Sequence, residues 1–176
     1  MIKIVNVTKK DGQYWHDVYL NAFPEYERLP FSQLQQIANE QEAVRLAMIV
    51  DDDNPVGILL LVEISNQKAF VLYFAVDANI RGKGIGSRTI TALKEEYPGG
   101  IVLESEIIGQ QADNEAQRVK RYEFYQRNGV TDSGFLTKNM GGTFHLLRST
   151  ELISDIEYVK AISILGVEAE VQKLVE

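Results

Sequence analysis

The order of hydrophobic and polar positions predicts strands through most of the first half of the chain. Ile2–Val7 alternates apolar with polar or basic residues, which is typical of a strand with one buried face. The stretches 44–50, 56–65 and 69–77 are largely apolar and follow one another across short polar turns. Such spacing favours antiparallel hairpins. Helices are expected before these strands, at 11–23 and after Ser32, which forms a capping-box pattern with Gln35.

The second half of the chain switches between helical and strand periodicity. Ile85, Ile90 and Leu93 recur at helical spacing up to Pro98, and residues 101–106 then predict a strand. A helix is expected at 113–128, closed by a glycine at position 129, and two more strands at 133–148. Ser154 and Glu157 form a second capping-box pattern, which predicts a last helix.

These elements predict the order β-α-α-β-β-β-α-β-α-β-β, followed by an added C-terminal helix. A mixed sheet covered by helices, of the α/β or α+β class, accommodates this order. The chain shows no repeat, low-complexity tract or linker, so residues 1–176 are expected to form one domain, with 154–176 as a C-terminal helical extension.

Charge and composition exclude several classes of function. The chain of 176 residues has a net charge of −7, which argues against nucleic acid or an anionic membrane surface as partner. It contains no cysteine and only 2 histidines, so a disulfide scaffold, a thiol nucleophile and a metal site are not expected. No apolar run reaches the length of a membrane span or signal peptide, and a cytoplasmic protein is therefore expected.

The segment 74–87, Phe-Ala-Val-Asp-Ala-Asn-Ile-Arg-Gly-Lys-Gly-Ile-Gly-Ser, carries the clearest chemical signal. An apolar strand runs through a glycine-rich turn into a helix, whose N-terminal amides and dipole favour phosphate. Arg81 and Lys83 add positive charge in an otherwise acidic chain. A dinucleotide-binding motif would need glycine at Ser87, and a P-loop would need Ser or Thr at Gly84.

The turn contains R-x-x-G-x-G at positions 81–86, and a later helix ends in Phe-Tyr-x-x-x-Gly at positions 124–129. Together these motifs resemble the GCN5-related N-acetyltransferase (GNAT) superfamily. The resemblance implies the GNAT fold, a mostly antiparallel mixed sheet with helices on both faces. It also implies acetyl-CoA as co-substrate and direct transfer of its acetyl group to a primary amine.

The resemblance assigns the acetyl-CoA site to the strand, the turn and the helix that follows them. Backbone groups of Phe74, Ala75 and Val76 would pair with the pantetheine arm, and the Val76 amide would stabilise the developing oxyanion. The pyrophosphate would bind the backbone of Gly82, Lys83, Gly84, Ile85, Gly86 and Ser87, assisted by the side chains of Arg81 and Lys83. Arg121 would reach the CoA phosphates or order the site.

Catalytic residues are expected on the later helix and on the strand at 101–106. Tyr125 matches the family's tyrosine beside the CoA sulfur and would protonate the departing thiolate. Glu104 and Glu106 are two residues apart on a strand and so share one face. Either could accept the ammonium proton, directly or through water, and Glu104 is preferred because it lies further inside the strand.

The acceptor site is expected at the loop 23–30, where the family places its acceptor-binding segment. Glu25, Glu27 and Arg28 would orient the amine, together with Glu106. The acceptor is expected to be a small, positively charged amine, with a protein or peptide amine as the alternative. A non-catalytic acyl-CoA sensor is the alternative function from another class. The C-terminal extension could pack on its own chain, form a homodimer or cover the acceptor site.

Overall fold

The computed structural model describes residues 1–80 and 82–174 and confirms the expected element order. The strands are β1 (Ile2–Asn6), β2 (Val44–Asp51), β3 (Asn54–Glu63), β4 (Lys68–Val76), β5 (Gly100–Glu106), β6 (Thr131–Asn139), β7 (Gly142–Arg148) and β8 (Glu170–Lys173). The α-helices are α1 (Gly12–Ala22), α2 (Phe31–Glu40), α3 (Ile85–Glu96), α4 (Glu115–Arg127) and α5 (Asp155–Ile164). No helix within these residues is long and apolar enough to cross a membrane.

The strands form one mixed sheet in the order β1-β2-β3-β4-β5-β7-β6-β8. Every pair of neighbouring strands is antiparallel except β4 and β5, which are parallel. The helix α3 provides the crossover that a parallel pair requires. This arrangement confirms the predicted fold class, a mostly antiparallel mixed sheet.

Helices cover the sheet on both faces and create two hydrophobic cores. One core buries α1, α2 and α5 through residues such as Trp15, Leu34 and Tyr158. The other core buries α3 through Ile90 and Leu93, and α4 packs against its edge. The central strand β3 serves both cores, because side chains alternate across a strand and its run 56–62 is apolar on both faces except for a glycine at position 57.

The two central strands separate part of the way along their length. Parallel pairing joins Lys68–Val71 of β4 to Gly100–Leu103 of β5 and goes no further. At that point β4 contains a bulge, because Leu61 of β3 pairs with Val71 and the preceding residue of β3 pairs with Tyr73. Beyond the bulge β4 stays with β3 and β5 stays with β7, so a wedge-shaped gap opens between them.

The sequence predicted a capping box at the start of both α2 and α5, and the structure confirms only the second. Ser32 does not cap α2, because the helix already begins at Phe31 with Pro30 at its N-cap and no side-chain cap. Proline fixes a backbone angle suited to helix initiation, which moves the start ahead of the serine. The capping box at α5 is confirmed, with the Ser154 hydroxyl accepting a hydrogen bond of 3.1 Å from the amide of Glu157.

The C-terminal extension is only partly helical, unlike the expectation for 154–176. Helix α5 ends at Ile164, and Gly166 adopts a positive φ of 79°, a conformation that ends helices. The chain then forms β8, which pairs with β6 and becomes the edge of the sheet. The extension therefore packs on its own chain through both a helix and a strand.

Candidate active site

A cavity of about 760 Å³ lies where β4 and β5 separate. Its walls come from the loop after α1, the separated halves of β4 and β5, the helix α4, and the β6–β7 turn. Side chains from both faces of the sheet reach it, because the gap passes through the sheet. Seven residues that the sequence predicted for the site line this cavity: Glu27, Phe74, Ala75, Glu104, Glu106, Arg121 and Tyr125.

Two buried tyrosines hold the loop that carries Glu27. The Tyr73 hydroxyl donates a hydrogen bond of 2.7 Å to the carbonyl of Glu27 and accepts one of 3.1 Å from the amide of Leu29. The Tyr19 hydroxyl donates to the Leu29 carbonyl at 2.7 Å. These bonds fix the loop backbone, and the Glu27 side chain lines the cavity. Burial, with a further contribution from Glu106, raises the pKa of the Glu27 carboxyl.

Glu104 lies on β5 and has one engaged and one free carboxylate oxygen. Its Oε2 accepts hydrogen bonds from the Tyr158 hydroxyl at 2.6 Å and from Asn139 Nδ2 at 2.5 Å. Its Oε1 has no partner among the residues the structure describes. Burial raises the pKa of Glu104, the two hydrogen bonds oppose that rise, and the charge of Glu27 adds to it.

Glu106 is compensated by two arginines from α4. Arg118 Nε lies 2.9 Å from its Oε2, and the Arg121 guanidinium bonds its Oε1. The side-chain amide of Asn114 adds a longer contact of 3.3 Å to Oε2. Both carboxylate oxygens of Glu106 are engaged by these donors. Glu106 therefore orders the arginines, whereas Glu104 is free to receive a proton.

Tyr125 contributes an unpaired hydroxyl to the cavity. The structure gives this hydroxyl no hydrogen-bond partner among residues 1–80 and 82–174, although the ring is largely covered. Burial raises the pKa of Tyr125 to about 12, with Arg121 opposing the rise. The phenol is therefore protonated at neutral pH and can donate a hydrogen bond into the cavity.

The glycine turn and the start of α3 present unsatisfied amides. The amides of Ile85, Gly86 and Ser87 have no acceptor in the described parts of the chain, and α3 has no side-chain cap. Gly84 has a positive φ of 63°, and a Cβ added there would meet nothing within 4 Å. Such a concave, dipole-favoured set of amides fits a phosphate group.

Among the other residues predicted for this turn, Gly82 also has a positive φ, of 77°, and open space around it. Lys83 is exposed and makes no ion pair within the residues described. Arg81, which was expected to assist the phosphate, lies outside the described residues. Gly86 serves packing, because a Cβ there would lie 3.0 Å from Phe124 Cζ.

The separated half of β4 leaves backbone groups facing the gap. The Asp77 amide bonds the Val56 carbonyl at 2.8 Å, so the backbone of Asp77 faces β3. Hydrogen-bonding direction alternates along a strand, and Ala75 therefore also faces β3. Phe74 and Val76 face the opposite side, where no strand pairs with them. An extended ligand can bond to these two residues, while the backbone of Ala75 is already engaged.

The structure does not bring two of the predicted acceptor residues into the cavity. Glu25 is exposed on the loop, and Arg28 is absent from the cavity lining, with its Nε buried and without a hydrogen-bond partner. Sequence reasoning also missed Tyr73, Asn139 and Tyr158, because their contacts join distant segments and leave no local pattern. Within the described residues, no cluster of His, Asp and Glu side chains could hold a metal ion.

The fold is similar to solved acetyltransferase structures. A GNAT-family protein from Bacteroides thetaiotaomicron matches with a TM-score of 0.70 at 22% identity, covering 93% of this chain and 94% of the other. Ard1 from Thermoplasma volcanium matches with a TM-score of 0.61 at 18% identity, covering 84% and 95%. Spermidine N-acetyltransferase from Vibrio cholerae, in complex with CoA and spermine, matches at 0.59 and 18%, covering 84% and 92%.

At these identities the structural matches establish the fold alone, and no curated protein is significantly similar in sequence. The sequence itself matches the family model described as "Acetyltransferase (GNAT) family" over residues 12–129. This match spans most of the chain and includes the glycine turn, β5 and the whole of α4. The chain therefore belongs to the GNAT family of acetyltransferases.

Proposed function

We propose that this protein is an acetyl-CoA-dependent N-acetyltransferase that acetylates a primary amine of a small, cationic molecule. One observation supports the proposal most directly. One cavity in the gap of the sheet is lined by Glu104, whose carboxylate has one engaged oxygen, and by Tyr125, whose hydroxyl has no partner within residues 1–80 and 82–174. These are the groups that remove a proton from an amine and support a departing sulfur.

The residues around the gap fit acetyl-CoA. The amides of Ile85, Gly86 and Ser87, with Lys83 and Arg81 nearby in sequence, would hold the pyrophosphate. The open backbone of Phe74 and Val76 would pair with the pantetheine arm as an added strand does. Acetyl-CoA supplies an acetyl thioester, whose carbon–sulfur bond breaks as the amine nitrogen bonds to the carbonyl carbon.

Three groups of the protein then act on protons and charge. Glu104 Oε1 accepts the proton that the ammonium must lose before its nitrogen can attack. The Val76 amide donates to the carbonyl oxygen as negative charge develops there. The Tyr125 hydroxyl donates to the sulfur. The raised pKa of Tyr125 makes full proton transfer to a thiolate about 3 kcal/mol less favourable than transfer from an ordinary phenol. We therefore expect Tyr125 to act mainly by donating a hydrogen bond.

The charge in the cavity supports a cationic acceptor. Burial raises the pKa of both Glu27 and Glu104, and a nearby carboxylate adds to each rise: Glu106 adds to that of Glu27, and Glu27 adds to that of Glu104. A bound ammonium group relieves this repulsion, and a second ammonium group on the same molecule relieves more of it. The Vibrio cholerae spermidine N-acetyltransferase, which shares the fold, supports polyamines as the first acceptors to test.

The proposal is tested by incubating the purified protein with acetyl-CoA and each of four acceptors: spermidine, butylamine, leucine and a lysine-containing peptide. Thiol release and the mass of the acetylated product are followed. We expect spermidine to be acetylated with the highest kcat/KM. We expect Glu27→Gln to raise the KM for spermidine about tenfold, because one charge-assisted contact is lost. The matched control is Glu42→Gln, an exposed position outside the cavity.

Two results would contradict the proposal. Folded protein that binds CoA but acetylates none of the amines would support a non-catalytic acyl-CoA sensor. Acetylation of the peptide in preference to every small amine would place the acceptor among protein amines instead.

A further inference from the structure

The helix α5 contacts the Glu104 carboxylate from beyond the residues that the family model matches. The family model ends at residue 129, and α5 begins at Asp155. Tyr158 of α5 is fully buried, and its hydroxyl donates a hydrogen bond to the Glu104 carboxylate on β5. A phenol placed directly on the carboxylate that receives the amine proton is unexpected for a segment that serves only to cover a core.

Several contacts fix the position of Tyr158. Its ring packs edge to face on Phe70 of β4, with the ring centroids 5.1 Å apart and the planes at 88°. The start of α5 is anchored to the sheet, since Lys68 Nζ donates to the Leu152 carbonyl at 2.7 Å and lies 3.1 Å from Glu157. The hydroxyl is therefore held in place from the ring side and from the helix end.

The protons around Tyr158 can be assigned from its partners. Its hydroxyl has one proton and lies 2.6 Å from Glu104 Oε2, an acceptor when ionised. The Thr137 hydroxyl, 2.9 Å away, must then donate to the phenol oxygen, and Asn139 Nδ2 lies 3.3 Å from it. Asn139 also donates directly to Glu104 Oε2. Two donors thus converge on one carboxylate oxygen and leave the other free.

We propose that α5 completes the catalytic site. Tyr158 of α5 and Asn139 of β6 are positioning residues that hold the Glu104 carboxylate ionised and turn its Oε1 toward the acceptor amine. This inference rests on the proposed function, in which Glu104 receives the amine proton. The two hydrogen bonds favour the ionised carboxylate against burial.

The remaining charged and titratable groups near Glu104 come from other elements. Glu27 approaches from the loop after α1 and Tyr73 from β4, and Glu106 follows on β5 with its arginine partners. Of these, Glu27 disfavours the ionised form of Glu104. The described groups that stabilise that form by hydrogen bonding are Tyr158 and Asn139.

The test compares Tyr158→Phe and Asn139→Ala with the wild-type protein in two measurements. The first is the titration of the Glu104 side-chain carboxyl by ¹³C NMR, assigned with Glu104→Gln. The second is the pH dependence of kcat/KM for spermidine acetylation. We expect each variant to raise the pKa of Glu104 and to move the acid limb of kcat/KM upward by about one pH unit, because a donor to the carboxylate is lost.

The matched control is Tyr97→Phe. Tyr97 is also buried and donates a hydrogen bond of 2.8 Å to a carboxylate, that of Glu63, but it lies in the opposite core. It should lose comparable stability without moving the titration of Glu104 or the acid limb. If Tyr158→Phe does not fold, Asn139→Ala still removes a hydrogen bond to Glu104 Oε2, and its effect on the Glu104 titration tests the same inference.

The outcomes separate the inference from the proposed function. An unchanged Glu104 titration in folded Tyr158→Phe would overturn the inference. A titration that moves while the acid limb stays fixed would overturn Glu104 as proton acceptor, and with it this part of the proposed function. Matched shifts in both measurements would support the two together.

Discussion

Replacing Gly84 by alanine tests whether the glycine turn is shaped by its own backbone or by a ligand. Gly84 has a positive φ of 63°, and a Cβ there would meet no atom of the protein within 4 Å. The substitution therefore costs only the backbone strain of an L residue in this region, about 1 kcal/mol. For a chain of this length, that lowers Tm by about 2–4 °C.

The effect on CoA binding is expected to be larger. The added methyl group would occupy the open space beside the turn, through which we expect a phosphate to approach the start of α3. Losing one charge-assisted hydrogen bond costs about 1.5–3 kcal/mol, which corresponds to a Kd for CoA raised by about 10- to 150-fold.

The assay is calorimetric titration with CoA beside thermal unfolding, and Gly109→Ala is the matched control. Gly109 has a positive φ of 81°, and a Cβ there also meets nothing within 4 Å, but it lies after β5 and away from the turn. Both variants should lose similar Tm, and only Gly84→Ala should lose CoA affinity. Equal Kd values for CoA in the two variants would refute the assignment of the turn to phosphate.

Three further predictions concern the cavity. Tyr125→Phe should lower kcat for amine acetylation about 10- to 100-fold with little change in KM, because its unpaired hydroxyl acts on the departing sulfur; steady-state kinetics check this. Tyr73→Phe should raise the acceptor KM about tenfold and leave the Kd for CoA unchanged, since it frees the loop of Glu27 by removing two hydrogen bonds; acceptor kinetics beside CoA calorimetry separate the two effects. Glu104→Gln should be more stable than the wild type at pH 8, as judged by the urea midpoint, and that advantage should narrow as the pH falls through the pKa of Glu104. Burial raises the pKa of Glu104 in the folded state, so at a pH above that pKa the ionised carboxylate lowers the free energy of unfolding of the wild type. A stability advantage of Glu104→Gln that widens in acid would contradict this reasoning.

Features that depend on local backbone chemistry were predictable from the sequence. The glycine turn was predicted from its three alternating glycines between a strand and a helix, and the structure gives Gly82 and Gly84 positive φ angles, which suit glycine. The two-residue period of a strand placed Glu104 and Glu106 on the same face of β5, and both line the cavity. The order of strands and helices followed from the same periodicities.

Features that depend on contacts between distant segments were not predictable. Glu25 and Glu27 are equivalent in sequence, and their different positions follow from the bond that Tyr73 makes to the loop. Tyr158 lies 54 residues from Glu104, and no local pattern links them. The strand β8 was missed because its pairing with β6, and not its own short sequence, makes it a strand.

The position of Tyr158 has a consequence for the order in which the elements around Glu104 can be completed during folding. The two halves of the sheet meet through only the short parallel contact of Lys68–Val71 with Gly100–Leu103. Because Tyr158 bonds Glu104 of β5 while its ring packs on Phe70 of β4, it spans that junction. The glycine turn and the cavity walls from β4, β5 and α4 all precede α5 along the chain. Glu104 gains its hydrogen bond from Tyr158 only once α5 has docked on the sheet, so the docking of α5 would couple the two halves of the sheet to the completion of the proposed site.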